Sequence, residues 1–166
     1  MLSKLVNKPF NCISRAVDML CLFLGDDYDF TAIDGRTIKV AEFSLHVQSK
    51  WCFSENGSVL LASRDIYEPY SKDVAEDWAY DIIGRPDEES STFDVLCKSF
   101  STKMHNAIVT ECHLSKTNDI TIRFSNGVVF EQLTPASQKC EEWRLIDYKN
   151  NSHTICYDEN GSVTCT

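Results

Sequence analysis

Asn11-Cys12-Ile13-Ser14-Arg15-Ala16-Val17-Asp18-Met19-Leu20-Cys21-Leu22-Phe23-Leu24 is the stretch on which the fold class turns. Ile13, Ala16, Val17, Leu20 and Leu24 recur at three- and four-residue spacings, which predicts a helix over 11–24 that ends at Gly25. Such a helix would cover a sheet with its apolar face. Beyond it Asp26-Asp27-Tyr28-Asp29 reads as a polar loop, and residues 31–45 carry β-branched side chains around an Asp34-Gly35 turn signal.

Three Asn-Gly pairs organise the rest, because this dipeptide readily takes the positive φ angles of a tight hairpin turn. Asn56-Gly57 predicts a hairpin joining 45–53 to 58–63, Asn126-Gly127 one joining 120–124 to 128–133, and Asn160-Gly161 one joining 153–157 to 162–166. Further strands are expected at 108–114 and 142–148. Over 91–103, Phe93, Leu96, Cys97 and Phe100 have helical spacing, with Ser91 or Thr92 as the cap. The expected fold is therefore α+β: an antiparallel sheet built from hairpins, a covering N-terminal helix and a second mid-chain helix, in one domain spanning 1–166. A chain of 166 residues is long enough to bury such a core without staples.

Between the first hairpin and the mid-chain helix lies an acidic segment, residues 68–94. It holds nine acids (Glu68, Asp73, Glu76, Asp77, Asp81, Asp87, Glu88, Glu89 and Asp94) against Lys72 and Arg85, a net charge of −7 where the other 139 residues carry −2. Tyr70, Trp78 and Tyr80 are interleaved with the carboxylates. Charge steers association and aromatic side chains anchor interfaces, so Tyr70, Asp73, Glu76, Asp77, Trp78, Tyr80, Asp81, Asp87, Glu88 and Glu89 are the expected partner-binding residues. An acidic run is otherwise a solvated face.

The overall charge of −9 and pI of about 4.8 argue against direct nucleic-acid binding, which needs Lys and Arg to displace phosphate counterions. A basic protein partner suits the chain better. Eight cysteines are numerous, but none forms C-x-x-C and several lie among apolar residues, so reduced thiols are expected, in a cytoplasmic protein. The apolar run 19–24 is too short to span a membrane and no cleavage site follows it.

Catalytic and cofactor signatures are missing from the sequence. Adjacent Cys112 and His113 face opposite sides of a strand, and His46, His105, His113 and His153 show no metal-ligand spacing. No glycine-rich phosphate loop occurs, and Asp87-Glu88-Glu89 lacks the contrasting environments of an acid/base pair. No cofactor or metal is therefore expected, nor enzymatic activity. Trp51 and Trp143 are expected in or beside the core.

Three stretches carry a family resemblance: His46-Val47-Gln48-Ser49-Lys50-Trp51, Ser63-Arg64-Asp65-Ile66-Tyr67-Glu68-Pro69 and Glu142-Trp143-Arg144-Leu145. They resemble H-x-Q-x-x-W-R, S-x-D-x-Y-x-P and E-x-W-R-L elements of a group of small, largely uncharacterised bacterial proteins, with Cys52 standing where that pattern has Arg. That group is similar to immunity proteins of polymorphic or contact-dependent toxins. The resemblance implies a cognate protein toxin as partner, a nuclease foremost, neutralised without catalysis and without membrane contact. Arg64, Asp65, Tyr67 and Arg144 are then expected to brace the acidic segment. Two rival readings remain: an enzyme or small-ligand protein with a sheet–helix pocket using His46, Gln48 and Tyr67, and a mobile-element inhibitor of a host nucleic-acid-binding protein.

Overall fold

A computed structural model of the chain describes residues 2–32, 34–82, 86–135, 141–156 and 163–165. In it the decisive stretch is a hairpin. β1 (Phe10–Ala16) pairs antiparallel with β2 (Met19–Thr31), Ala16 opposite Met19 across the two-residue turn Val17-Asp18. The N-terminal helix is thus corrected to two strands, and the α+β expectation to a mostly antiparallel β architecture with one α-helix among the described residues.

The physical reason is parity. Ile13 and Arg15 alternate inward along β1, while Leu20, Leu22 and Leu24 alternate inward along β2 and are fully buried. A turn between two period-2 patterns shifts the phase, and the combined spacing imitates one helical stripe. Nor is Asp26 to Asp29 a loop, since β2 runs through it after a bulge between Leu24 and Asp27. Gly25 sits at that bulge with φ +89, and a Cβ there would meet the Glu42 Cβ at 2.7 Å.

The remaining elements are β3 (Thr37–Val47), β4 (Lys50–Glu55), β5 (Ser58–Ala62), α1 (Thr92–Lys103), β6 (Val109–Leu114), β7 (Ile120–Phe124), β8 (Val129–Leu133), β9 (Trp143–Asp147), β10 (Ser152–Cys156) and β11 (Val163–Cys165). They form a six-stranded sheet in the order β1-β2-β3-β9-β10-β11 and a five-stranded sheet in the order β5-β4-β8-β7-β6. At Asn56-Gly57 both residues take positive φ, +49 and +78, as a tight hairpin demands. At Asn126-Gly127 only Gly127 does, and the Asn126 side chain accepts from the Val128 N–H. β10 and β11 pair antiparallel, while Asn160-Gly161 lies outside the described residues.

Chain continuity and an edge contact join the sheets. β3 bends into β4 at Gln48-Ser49, whose N–H groups both donate to the Glu142 carbonyl. The segment before β1 meets the start of β6: Asn7 N–H donates to Val109 O, and Val109 N–H to Lys8 O. Between the sheets lies one hydrophobic cluster in which Phe53 packs on Phe100 at 4.6 Å and on Phe130 at 4.9 Å between ring centroids. Trp51 and Trp143 are buried in it as expected.

α1 begins where the sequence placed it, with the Ser91 hydroxyl accepting from Asp94 N–H as N-cap. It buries Phe93 and Phe100 against the core. At the other side of this junction, Val17 holds φ +58 in the β1–β2 turn, a left-handed conformation costly for a β-branched residue, and is 49% exposed. Val17→Gly should therefore raise stability by about 1 kcal/mol, whereas Gly25→Ala should lower it by about 2 kcal/mol. Urea unfolding checks both; a helix at this position would instead lose about 1 kcal/mol with the first substitution.

Candidate interaction surface

The acidic segment is a loop closed at its base. Glu68 to Tyr70 runs antiparallel to Ser90 to Thr92: Thr92 N–H donates to Glu68 O at 2.8 Å, Tyr70 N–H to Ser90 O at 3.0 Å, and Pro69 bridges Ser91. Because α1 starts at Thr92, capping the helix also fixes the exit of the loop. Its entry follows the 3-10 turn Ser63–Ile66, where the Asp65 carboxylate accepts from Ala62 N–H at 2.7 Å. Closely spaced ends and internal packing are what hold such a loop in shape.

Two aromatic residues stabilise it from within. The Trp78 indole N–H donates to Glu89 O at 2.8 Å, tying the middle of the loop to its exit. Tyr80 packs edge-on to Tyr67, ring centroids 4.7 Å apart, and rests against the hydrophobic core. Of the three expected anchors only Tyr70 stands out, at 53% exposure; Trp78 and Tyr80 are half-buried and serve the loop itself. Trp78 still lines a small cleft of about 370 Å3 with Val74, Ala75 and Ile82, rimmed by Asp73, Asp77 and Glu89. Ile82, 49% exposed, is an apolar contact that the charge pattern did not single out.

The acids divide by role. Asp94 meets Arg15 through two hydrogen bonds, Nε to Oδ1 at 2.8 Å and Nη2 to Oδ2 at 2.6 Å, with Arg15 2% and Asp94 21% exposed in their side chains. Partial burial pushes the Asp94 carboxyl up, yet the hydrogen bonds from Arg15 and Ser91 prevail and hold it below the usual carboxylate range. Asp87 pairs with Lys98 at 2.6 Å, and Glu68 with Arg64 at 3.2 Å. Asp73, Glu76, Asp77, Asp81, Glu88 and Glu89 are exposed and make no ion pair among the described residues. These six, with Tyr70 and Ile82, form the available face.

The expected bracing residues separate likewise. Arg64 reaches Glu68, Asp65 holds the 3-10 turn, and Tyr67 packs edge-on to Tyr80 while its hydroxyl donates to Asp18 at 3.1 Å. Arg144 lies elsewhere, opposite His46 in the β3–β9 ladder. Gln48 and Tyr67 do share an open cleft of about 860 Å3, with Asp18, Lys50, Arg64 and Glu142 among its walls, but His46 is not part of it. That cleft lies where the His46-to-Trp51, Ser63-to-Pro69 and Glu142-to-Leu145 stretches meet.

Chemistry elsewhere is quiet. Burial pushes the Cys112 thiol up to about 12, which leaves it protonated and a poor nucleophile at neutral pH. Cys12, Cys21, Cys52, Cys97 and Cys112 are free thiols, and no cluster of metal-ligating side chains occurs among the described residues. Nor is any described helix long and apolar enough to cross a membrane. No protein-family model, curated protein or solved structure matches the chain.

Asp94 gives the loop a measurable pH dependence. A carboxyl held lower in the folded state than in the unfolded state contributes stability above its unfolded pKa of about 3.9, and that contribution is lost as pH falls through the folded value. Asp94→Asn should cost about 2–3 kcal/mol at neutral pH, toward the low end for a broken buried pair because the carboxylate touches solvent. Denaturation midpoints against pH should also lose part of their acid-side decline in this variant.

Proposed function

We propose that the chain is an immunity protein that binds a cognate bacterial toxin in the cytoplasm, a basic nuclease being the toxin class that fits its charge. The observation that carries this reading is the loop closed at its base by Glu68 to Tyr70 and Ser90 to Thr92, which holds six exposed carboxylates without an ion pair among the described residues, and exposed Tyr70. A basic cleft built to hold nucleic acid presents the complementary field. Acids on a loop already closed at its base lose little further freedom on binding, so more of the interaction free energy appears as affinity. Tyr70 and Ile82 would slow dissociation once the fields have brought the partners together. Inhibition then proceeds by steric and electrostatic cover, with no bond made or broken.

Co-expression with the product of the adjacent toxin gene should rescue growth and yield a co-purifying complex. Replacing Asp77, Asp81, Glu88 and Glu89 by their amides should lower the association rate at least about tenfold at low salt and flatten its salt dependence, with the melting temperature little changed. Rescue that is indifferent to both salt and these substitutions would remove the acidic loop from the mechanism.

A second reading has one observation in its favour. Gln48 and Tyr67 converge on the cleft of about 860 Å3, a volume within the range of small-molecule sites. Under that reading Tyr67→Ala abolishes ligand capture, whereas the four amide substitutions leave it untouched; isothermal titration with a metabolite library separates the two.

A further inference from the structure

The face of the six-stranded sheet turned away from the hydrophobic cluster carries polar residues remote in sequence from the acidic loop. Residues directly opposite each other in a ladder share a face, as do residues two apart along a strand. His46 on β3 stands opposite both Cys21 on β2 and Arg144 on β9; Ser44 stands opposite Ile146, which in turn stands opposite His153 on β10. Ser44, His46, Arg144 and His153 therefore point to the same side, away from Leu45, Val47 and Leu145 in the core.

Among the described residues, two of these groups have hydrogen-bonding capacity without a partner. Ser44 is fully buried and its hydroxyl has no partner. The Arg144 Nε is buried without an acceptor, although Nη2 of the same guanidinium donates to Glu141 at 2.8 Å. Such unsatisfied buried donors are uncommon in native proteins and point to something that completes them. His46 is half-buried beside them; burial first, then the Arg144 charge and His153, hold its pKa below the ordinary value, against the opposing pull of Glu141. Cys21, opposite it on β2, is a further titratable group on this face.

We propose that Arg144, His46 and His153, on the face they share with Ser44 two residues along β3, form a binding site for an oxyanion of phosphate or carboxylate size. An oxyanion accepts hydrogen bonds from the guanidinium and the ring N–H groups of the cluster, and its charge favours the protonated form of the His46 imidazole. A neutral acceptor would satisfy the hydrogen bonds without the charge, and a cation would meet Arg144. Glu141 limits affinity by neutralising one arm of the guanidinium, and occupancy rises as falling pH protonates His46, whose pKa burial holds below the ordinary value.

The test is a proton NMR titration of the full chain at constant ionic strength, following the His46 and His153 ring signals with inorganic phosphate and, separately, acetate. Saturable shifts are expected at about pH 6 and several-fold weaker binding at about pH 7.5. Arg144→Gln should weaken binding about tenfold, and Glu141→Gln should tighten it several-fold while leaving the core intact. Phosphate favoured over acetate identifies a phosphate-bearing ligand; equal affinity identifies a carboxylate. Shifts that fail to saturate, or that ignore both Arg144→Gln and Glu141→Gln, overturn the site.

Discussion

A single buried guanidinium ties together β1, the β1–β2 turn and α1. Arg15 points inward from β1, almost without solvent, and an unpaired charge there would be costly. Its Nε and Nη2 are taken by Asp94 in the first turn of α1, and its Nη1 by the Val17 carbonyl in the β1–β2 turn. One side chain thus ties the hairpin that replaced the expected helix to the helix that does exist. Since Ser91 caps that helix and Ser90 to Thr92 pair with Glu68 to Tyr70, the position of α1 sets the base of the acidic loop.

This arrangement separates two jobs that the sequence presents as one acidic run. Asp94, Asp87 and Glu68 are spent on internal pairs. The six remaining described acids face solvent, on a loop tied across by the Trp78 indole and propped on the core by Tyr80 against Tyr67. Of the aromatic residues that compositional reasoning offers as partner anchors, Trp78 and Tyr80 are half-buried and hold the loop together, while Tyr70 is exposed. The loop thus presents exposed carboxylates together with exposed Tyr70 and Ile82, the side chains on which the proposed partner contact rests.

What could be read from sequence follows from the range of the forces involved. Asn56-Gly57 and the Ser91 cap are local, governed by backbone preferences of a few residues, and both stand where expected. The 11–24 stretch was illegible because helical and strand periodicities coincide when a hairpin turn shifts the phase, and only the alternation of Leu20, Leu22 and Leu24 hints at the strand. The bounds of the acidic loop were visible in its charge, but the inward commitment of Trp78, Tyr80 and Asp94 depends on contacts with Glu89, Tyr67 and Arg15. The pairing of His46 with Arg144 is set by strand order across nearly a hundred residues, which no local pattern encodes.

Amide hydrogen–deuterium exchange of the chain, alone and mixed with a candidate basic nuclease toxin that it protects against, tests the proposal that the closed acidic loop is the contact surface. Slowed exchange concentrated over 70–82 and 86–91, with strands β6 to β8 unchanged, is the predicted result. A complex that forms while this loop exchanges at its free rate, and whose protection falls on the strands instead, would contradict the account.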